Sequence, residues 1–250
     1  MLRLGNPLLG KGKMFPDDCI QYLAASWWEE VTPPKRERWR LVNVYVRHIT
    51  AAPYEVVLTG RREARDHSGA DLTVGAFRAD QRQPMTPLPI AAIPNYSQER
   101  FTLNRGKMRP ALIIATPGTT IDRAVRSDIP KAHYTPTYIV APYYTAEPTG
   151  SQAGVPQEFI RQVKRCEFTQ CFWDMLPLTK GHPGSILRLD QIQAVEPDIN
   201  SLKATEWMLS EEAQGIVHEM LLRHLTQIEL DPDGPAAVAV DAIKSRPDIP

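Results

Sequence analysis

The chain has 250 residues and a mass of 28.1 kDa, enough for one large or two small domains with a real hydrophobic core. Apolar residues at 42% and charged residues at 23% are ordinary for a soluble globular protein. Twenty-nine basic side chains balance 29 acidic ones, which excludes a global field that draws nucleic acid. Any RNA binding must come from a local basic patch. The 23 prolines are about twice the usual ~5% usage and predict many strand ends and loops. Three cysteines, Cys19, Cys166 and Cys171, are an odd number without a CxxC pair. They argue against a disulfide framework or a structural zinc and for a reducing cytosol. No continuous apolar region follows the amino-terminal Lys and Arg, and no run approaches ~18 apolar residues. The expectation is a cytoplasmic protein with neither signal peptide nor membrane span.

Residues 1–80 read as an α/β segment. Pro16 and Asp17 open a predicted helix in which Ile20, Leu23, Ala24, Trp27, Trp28 and Val31 recur at helical spacing, and Pro33-Pro34 ends it. The indole pair is expected to fill a core or a domain interface. Strands are predicted at 41–49, 54–59 and 71–77. Three prolines in QRQPMTPLP make residues 81–89 a linker, followed by a short strand at 90–93 and a polar, basic loop at 95–108.

That loop runs straight into an apolar strand, Ala111 to Ala115. Pro110 lacks an amide donor and suits the first residue of a strand, and it biases Arg109 towards an extended conformation. A planar five-donor guanidinium is thereby held at a strand mouth, where it suits a phosphate. Tyr138 to Thr145 is a second apolar strand, ending in hydroxyls. Residues 117–136 are mostly loop. Pro156 at a first helical position, with Phe159, Ile160, Val163 and Cys166 at helical spacing, predicts a helix over 156–167. Residues 171–178 form a strand and TKGHPG a turn. Ser185 to Val195 alternates before and after Asp190-Gln191. A last helix begins at Ser210, a good N-cap, with Glu211 and Glu212 in its first turn and a face of Ala213, Ile216, Val217, Met220, Leu221 and Leu225. Prolines and small residues predict a disordered tail over 231–250.

The ordered set of K-x-R-P before an apolar strand, a strand ending near Pro-x-Thr, a D-Q-I strand and a carboxy-terminal helix resembles the MazF/PemK family of toxin endoribonucleases. The resemblance covers about residues 88–227. It implies an α+β fold with a small SH3-like, partly open barrel over 90–228, interrupted by the inserted helix at 156–167. It also implies metal-independent cleavage of single-stranded RNA without a cofactor, in which the ribose 2′-hydroxyl attacks the adjacent phosphorus. A homodimer and an antitoxin partner are further implications, as is the role of a toxin in a toxin–antitoxin pair.

The resemblance puts the family's catalytic arginine on Arg109. Counting two residues past Pro142 puts its threonine on Tyr144, while the hydroxyl of matching type is Thr145. A step of one along a strand turns a side chain to the other face, so a bulge restores Thr145, or Tyr144 takes over, or the site is degenerate. Lys107, Arg105, Gln98, Glu99, Tyr96 and Tyr143 are the RNA-binding candidates, the tyrosines as stacking platforms for bases. Gln98 and Glu99 resemble the family's loop over the active site. His182 is a candidate proton carrier near neutral pH but reads more simply as a turn residue. Asp190-Gln191 is expected to bond backbone groups, and Cys166 and Cys171 to be small buried side chains. No metal motif or glycine-rich phosphate loop is present. The alternative function is a non-catalytic binding or regulatory module on the same fold.

Overall fold

The structure is a computed structural model that describes residues 15–49, 52–60, 63, 65, 69–80, 100–127, 129, 134–146, 154–178, 184–196 and 201–246. Tyr96, Gln98, Glu99 and His182, the linker at 81–89 and the strand at 90–93 lie outside them. In chain order the strands are β1 (Trp28–Glu30), β2 (Arg40–Arg47), β3 (Tyr54–Gly60), β4 (Asp71–Ala76), β5 (Phe101–Leu103), β6 (Gly106–Ala115) and β7 (Tyr138–Thr145). Helix α1 (Gln157–Lys164) follows, then β8 (Cys171–Met175), β9 (Gly184–Arg188), β10 (Gln193–Val195) and β11 (Leu202–Leu209). Helices α2 (Glu211–Thr226) and α3 (Pro235–Lys244) complete the described elements.

Two compact units share these elements, Met1–Val46 with Met108–Pro250, and Arg47–Lys107. The boundary expected at 81–89 therefore differs from the observed division. Residues 15–46 belong with the larger unit because β1 and β2 pair with β11, a strand some 160–180 residues downstream that no local pattern announces.

The larger unit is a mixed α+β body. Its antiparallel sheet runs β1-β11-β2-β6-β7-β9-β8, with β10 also on β7, and curls strongly into a half-barrel compatible with a partly open barrel. Ala111 pairs with Pro142, Leu112 with Ala141 and Ile113 with Val140, and these six side chains are buried. A helical placement of either segment is excluded. Period-two alternation then divides the core. Leu112, Ile114, Ala141, Tyr143, Phe172 and Leu187 face α2, whose Ala213, Ile216, Val217, Met220 and Leu221 form the buried stripe expected of it. On the opposite face, Ala111, Ile113 and Val140 pack with Val42, Val44, Val46 and Leu202. Farther along that face, Ile186, Cys171 and Trp173 pack against Ile160 and Val163 of α1. Ser210 caps α2, its Oγ accepting from the Ala213 amide at 3.2 Å and donating to the Ser26 carbonyl at 2.7 Å.

Two predicted elements are corrected. The helix expected over 17–31 is a single 3-10 turn at Ile20–Leu23 followed by β1. Trp28 pairs with Leu209, and both indoles are buried in the core, so tertiary pairing and burial outweigh the local helical spacing. The tail expected over 231–250 contains α3. Gly234 is its N-cap, Pro235 stands at its first position, and Ala236, Ala239, Val240 and Ile243 are buried on the main core. Glu219 of α2 accepts from the Ala236 amide at 2.9 Å, tying the two helices together.

The smaller unit holds one sheet, β4-β3-β5. Tyr54 pairs with Ala76 on one side and Leu103 on the other, Val56 with Val74 and Phe101, and Leu58 with Leu72. Arg100 bridges Glu55 at 3.4 Å and lies over the Phe77 ring.

Candidate functional site around Arg109 and Tyr144

Pro142 explains how the site is assembled. A proline within a strand removes a ladder donor and is excluded from a regular central strand. Here the ladder on one side of β7 is broken: β9 pairs with Tyr143, Tyr144 and Thr145, while β10 pairs with Tyr138, Ile139 and Val140. Between β9 and β10 the chain makes a 3-10 turn, Leu189–Gln191, where the sequence suggested one continuous strand. The turn is held by a bidentate ion pair, Arg188 Nε to Asp190 Oδ1 at 2.8 Å and Nη2 to Oδ2 at 2.6 Å. The guanidinium holds the Asp190 carboxyl below its usual range.

This turn delivers Gln191, 5% exposed, beside β7. Its Oε1 accepts the hydroxyl proton of Tyr144. Gln191 was expected to bond backbone groups; the structure shows it fixing a side chain. Tyr144 in turn supports Arg109. Continuing the Ala111–Pro142 register by two residues brings Arg109 opposite Tyr144 on the same face. The guanidinium carbon stands 4.2 Å from the ring centroid. Such a stack is worth about 0.5–2 kcal/mol and fixes the plane of the fork. Arg109 Nε is buried and has no hydrogen-bond partner among the described residues. The arrangement is a half-buried cation oriented by its stack on Tyr144. It is suited to a planar anion such as a phosphate.

Arg109 and Tyr144 are thus brought together, and Thr145 is not. The β7–β9 register is unbroken through Tyr143, Tyr144 and Thr145, so no bulge turns the threonine to the Arg109 face. Thr145 is exposed on the opposite side of the strand. Tyr143 is also corrected. It is 2% exposed and offers no ring to a base. Lys107 and Arg105 are exposed cations of the smaller unit, Lys107 lying on β6 two residues before Arg109.

Behind β7, Tyr143 belongs to a polar cluster that the sequence reading missed. Asp174, 1% exposed, accepts from the Tyr143 hydroxyl at 3.0 Å, from Trp27 Nε1 and Trp28 Nε1 at 3.3 Å each, and from the Met175 amide at 2.7 Å. Burial pushes its carboxyl from 3.8 up to about 7, against the downward pull of the Tyr143, Trp27, Met175 and Trp28 donors. Burial, followed by the Asp174 charge and hydrogen bond, raises Tyr143 well above its usual 10. The sequence did carry a signal: a lone carboxylate inside the apolar strand Cys-Phe-Trp-Asp-Met needs donors, and two adjacent indoles can supply them. The three thiols are buried, and burial raises Cys19 and Cys166 to about 12, which leaves them chemically quiet. No group of three or more His, Cys, Asp or Glu placed to hold a metal occurs among the described residues. Nor is any described helix long and apolar enough to cross a membrane.

Compared with known proteins, the chain matches no family model and no curated protein.

Proposed function

We propose that the chain is a metal-independent endoribonuclease of MazF/PemK type, with an SH3-like barrel in its larger unit, cleaving single-stranded RNA at Arg109. The observation that carries this reading is the Arg109–Tyr144–Gln191 arrangement: a half-buried guanidinium on β6 stacked on a tyrosine ring whose hydroxyl bonds Gln191. Arg109 binds the scissile phosphate and stabilises the charge that grows on it as the 2′-oxygen attacks. The bond from the 2′-oxygen to phosphorus forms and the bond from phosphorus to the 5′-oxygen breaks. The proton lost by the 2′-hydroxyl is balanced by one gained at the 5′-oxygen, leaving a 2′,3′-cyclic phosphate and a 5′-hydroxyl. Tyr144 stands in for the family's threonine. Its own proton points to Gln191, so its oxygen is left to accept a hydrogen bond from the 2′-hydroxyl. A toxin role, an antitoxin, a homodimer and a cytoplasmic setting belong to the same reading.

A second reading is favoured by the position of Thr145. With that hydroxyl on the far face, the site keeps a phosphate-binding cation without the family's second group, and a non-catalytic RNA- or protein-binding module follows. Mapping the ends of mixed RNA incubated with the protein and EDTA separates the two. Cleavage is expected to leave 5′-hydroxyl ends at defined sequences. Binding to RNA without cut ends contradicts the nuclease reading and supports the second.

A further inference from the structure

The smaller unit leaves an apolar sheet face open. Because β3, β4 and β5 are in register, Leu72, Val74, Tyr54 and Leu103 share one side of the sheet with Val56 and Leu58. Leu72 is 54% exposed, Leu103 51%, Tyr54 47% and Val74 46%. No described residue of 47–107 is buried. A three-stranded sheet requires one covered face to hold together, so this one is built to be covered.

Charge and area say by what. Residues 47–107 hold nine Lys and Arg against six Asp and Glu, while the rest of the chain holds 20 against 23. Arg78 lies just past the end of β4 and Arg105 just past the end of β5; both are exposed. Those ends flank the same row of the sheet, Ala76–Tyr54–Leu103, so the apolar face has a basic end. Two strands about 20 Å long and a third of about 10 Å, spaced about 4.8 Å apart, give a face of about 250 Å². That is well under the ~800 Å² per partner of a stable globular dimer, and a second copy would also bring two basic units together. The face matches one helix about 10 Å wide and about 13 residues long at 1.5 Å per residue. Aliphatic side chains dominate it, with Tyr54 as its single strongly exposed ring, which disfavours a stack of bases.

We propose that this face docks an acidic, amphipathic helical segment of a partner protein, its apolar stripe on Leu72, Val74, Tyr54 and Leu103 and its carboxylates at the Arg78 and Arg105 end. The test uses the full chain and a labelled synthetic helix of about 18 residues, leucine on one face and glutamate on the other, followed by fluorescence anisotropy. Micromolar binding is expected, at least tenfold weaker for the same helix with lysine in place of glutamate. Val74→Asp should abolish it. Arg78→Glu, which leaves the apolar face intact, should weaken it several-fold, with the loss vanishing at high salt. Equal binding of the two helices, or no binding at 100 µM, overturns the proposal. So does competition by single-stranded RNA, or a concentration-dependent dimer that Val74→Asp dissolves.

Discussion

The two units solve the problem of an antiparallel sheet in opposite ways. In the larger one both faces of the sheet are covered, and the central residues of β6 and β7 are fully buried. In the smaller one no described residue is buried, although the apolar alternation of β3 and β4 is as regular. The difference teaches where a precise site can be built. Arg109 and Tyr144 stand on paired strands of this covered sheet, and Gln191 bonds the Tyr144 hydroxyl, so the guanidinium is oriented by its stack. The open sheet has no such support and is suited to a partner that completes it.

Paired truncations should show the contrast in stability. Leu112→Ala in β6 is expected to cost about 2–5 kcal/mol, a cavity in a core that cannot collapse, whereas Leu72→Ala in β4 should stay within about 0.5 kcal/mol. Urea denaturation of both variants checks it. A loss at Leu72 as large as that at Leu112 would mean that the smaller unit has a core of its own.

Asp174 gives the next effect, confined to the larger unit. Its folded carboxyl titrates near 7 and its unfolded one near 3.8, so the native state holds the proton more tightly. Stability contributed by the protonated group is full below about pH 4 and is lost as the pH rises to about 7, by a few kcal/mol at 1.36 kcal/mol per unit. Melting curves between pH 4 and 8 should show that decline in the parent chain and a flatter profile in Asp174→Asn. An identical slope in both would place the titration elsewhere. Smaller still is the helix cap. Ser210→Ala should cost about 1 kcal/mol, because the Ala213 amide loses its acceptor and the Ser26 carbonyl its donor. A melting temperature unchanged within error would mean that water replaces the hydroxyl at no cost.

Legibility in the sequence followed the range of the interactions. The strands of residues 111–115 and 138–145 were readable because proline and polar residues bound short apolar runs, and α1 and α2 because their stripes and caps are local. Trp27 and Trp28 sit at helical spacing, yet β11 takes Trp28 into a strand and the Ser210 amide bonds the Trp27 carbonyl, while β11 itself is hidden by a register shift between Ala204 and Met208 that breaks its alternation. The α3 signal is local: a glycine-proline start and apolar residues at 236, 239, 240 and 243 outweigh the small-residue composition. At the site, Arg109 was nominated by K-x-R-P ahead of an apolar run and by the resemblance that the ordered motifs carry, although β6 begins at Gly106, four residues before Pro110. Gln191 was not, because its role depends on a turn that exists only where Pro142 interrupts the ladder fifty residues earlier.

The most direct measurement is single-turnover cleavage of single-stranded RNA in EDTA by the parent chain and by Arg109→Ala, with melting curves taken on the same samples. A loss of about 10²-fold or more in rate is expected with little change in melting, and little recovery in Arg109→Lys, whose point charge cannot reproduce the stacked fork. Equal rates for the parent chain and the alanine variant would remove Arg109 from the chemistry and rule out cleavage at this site.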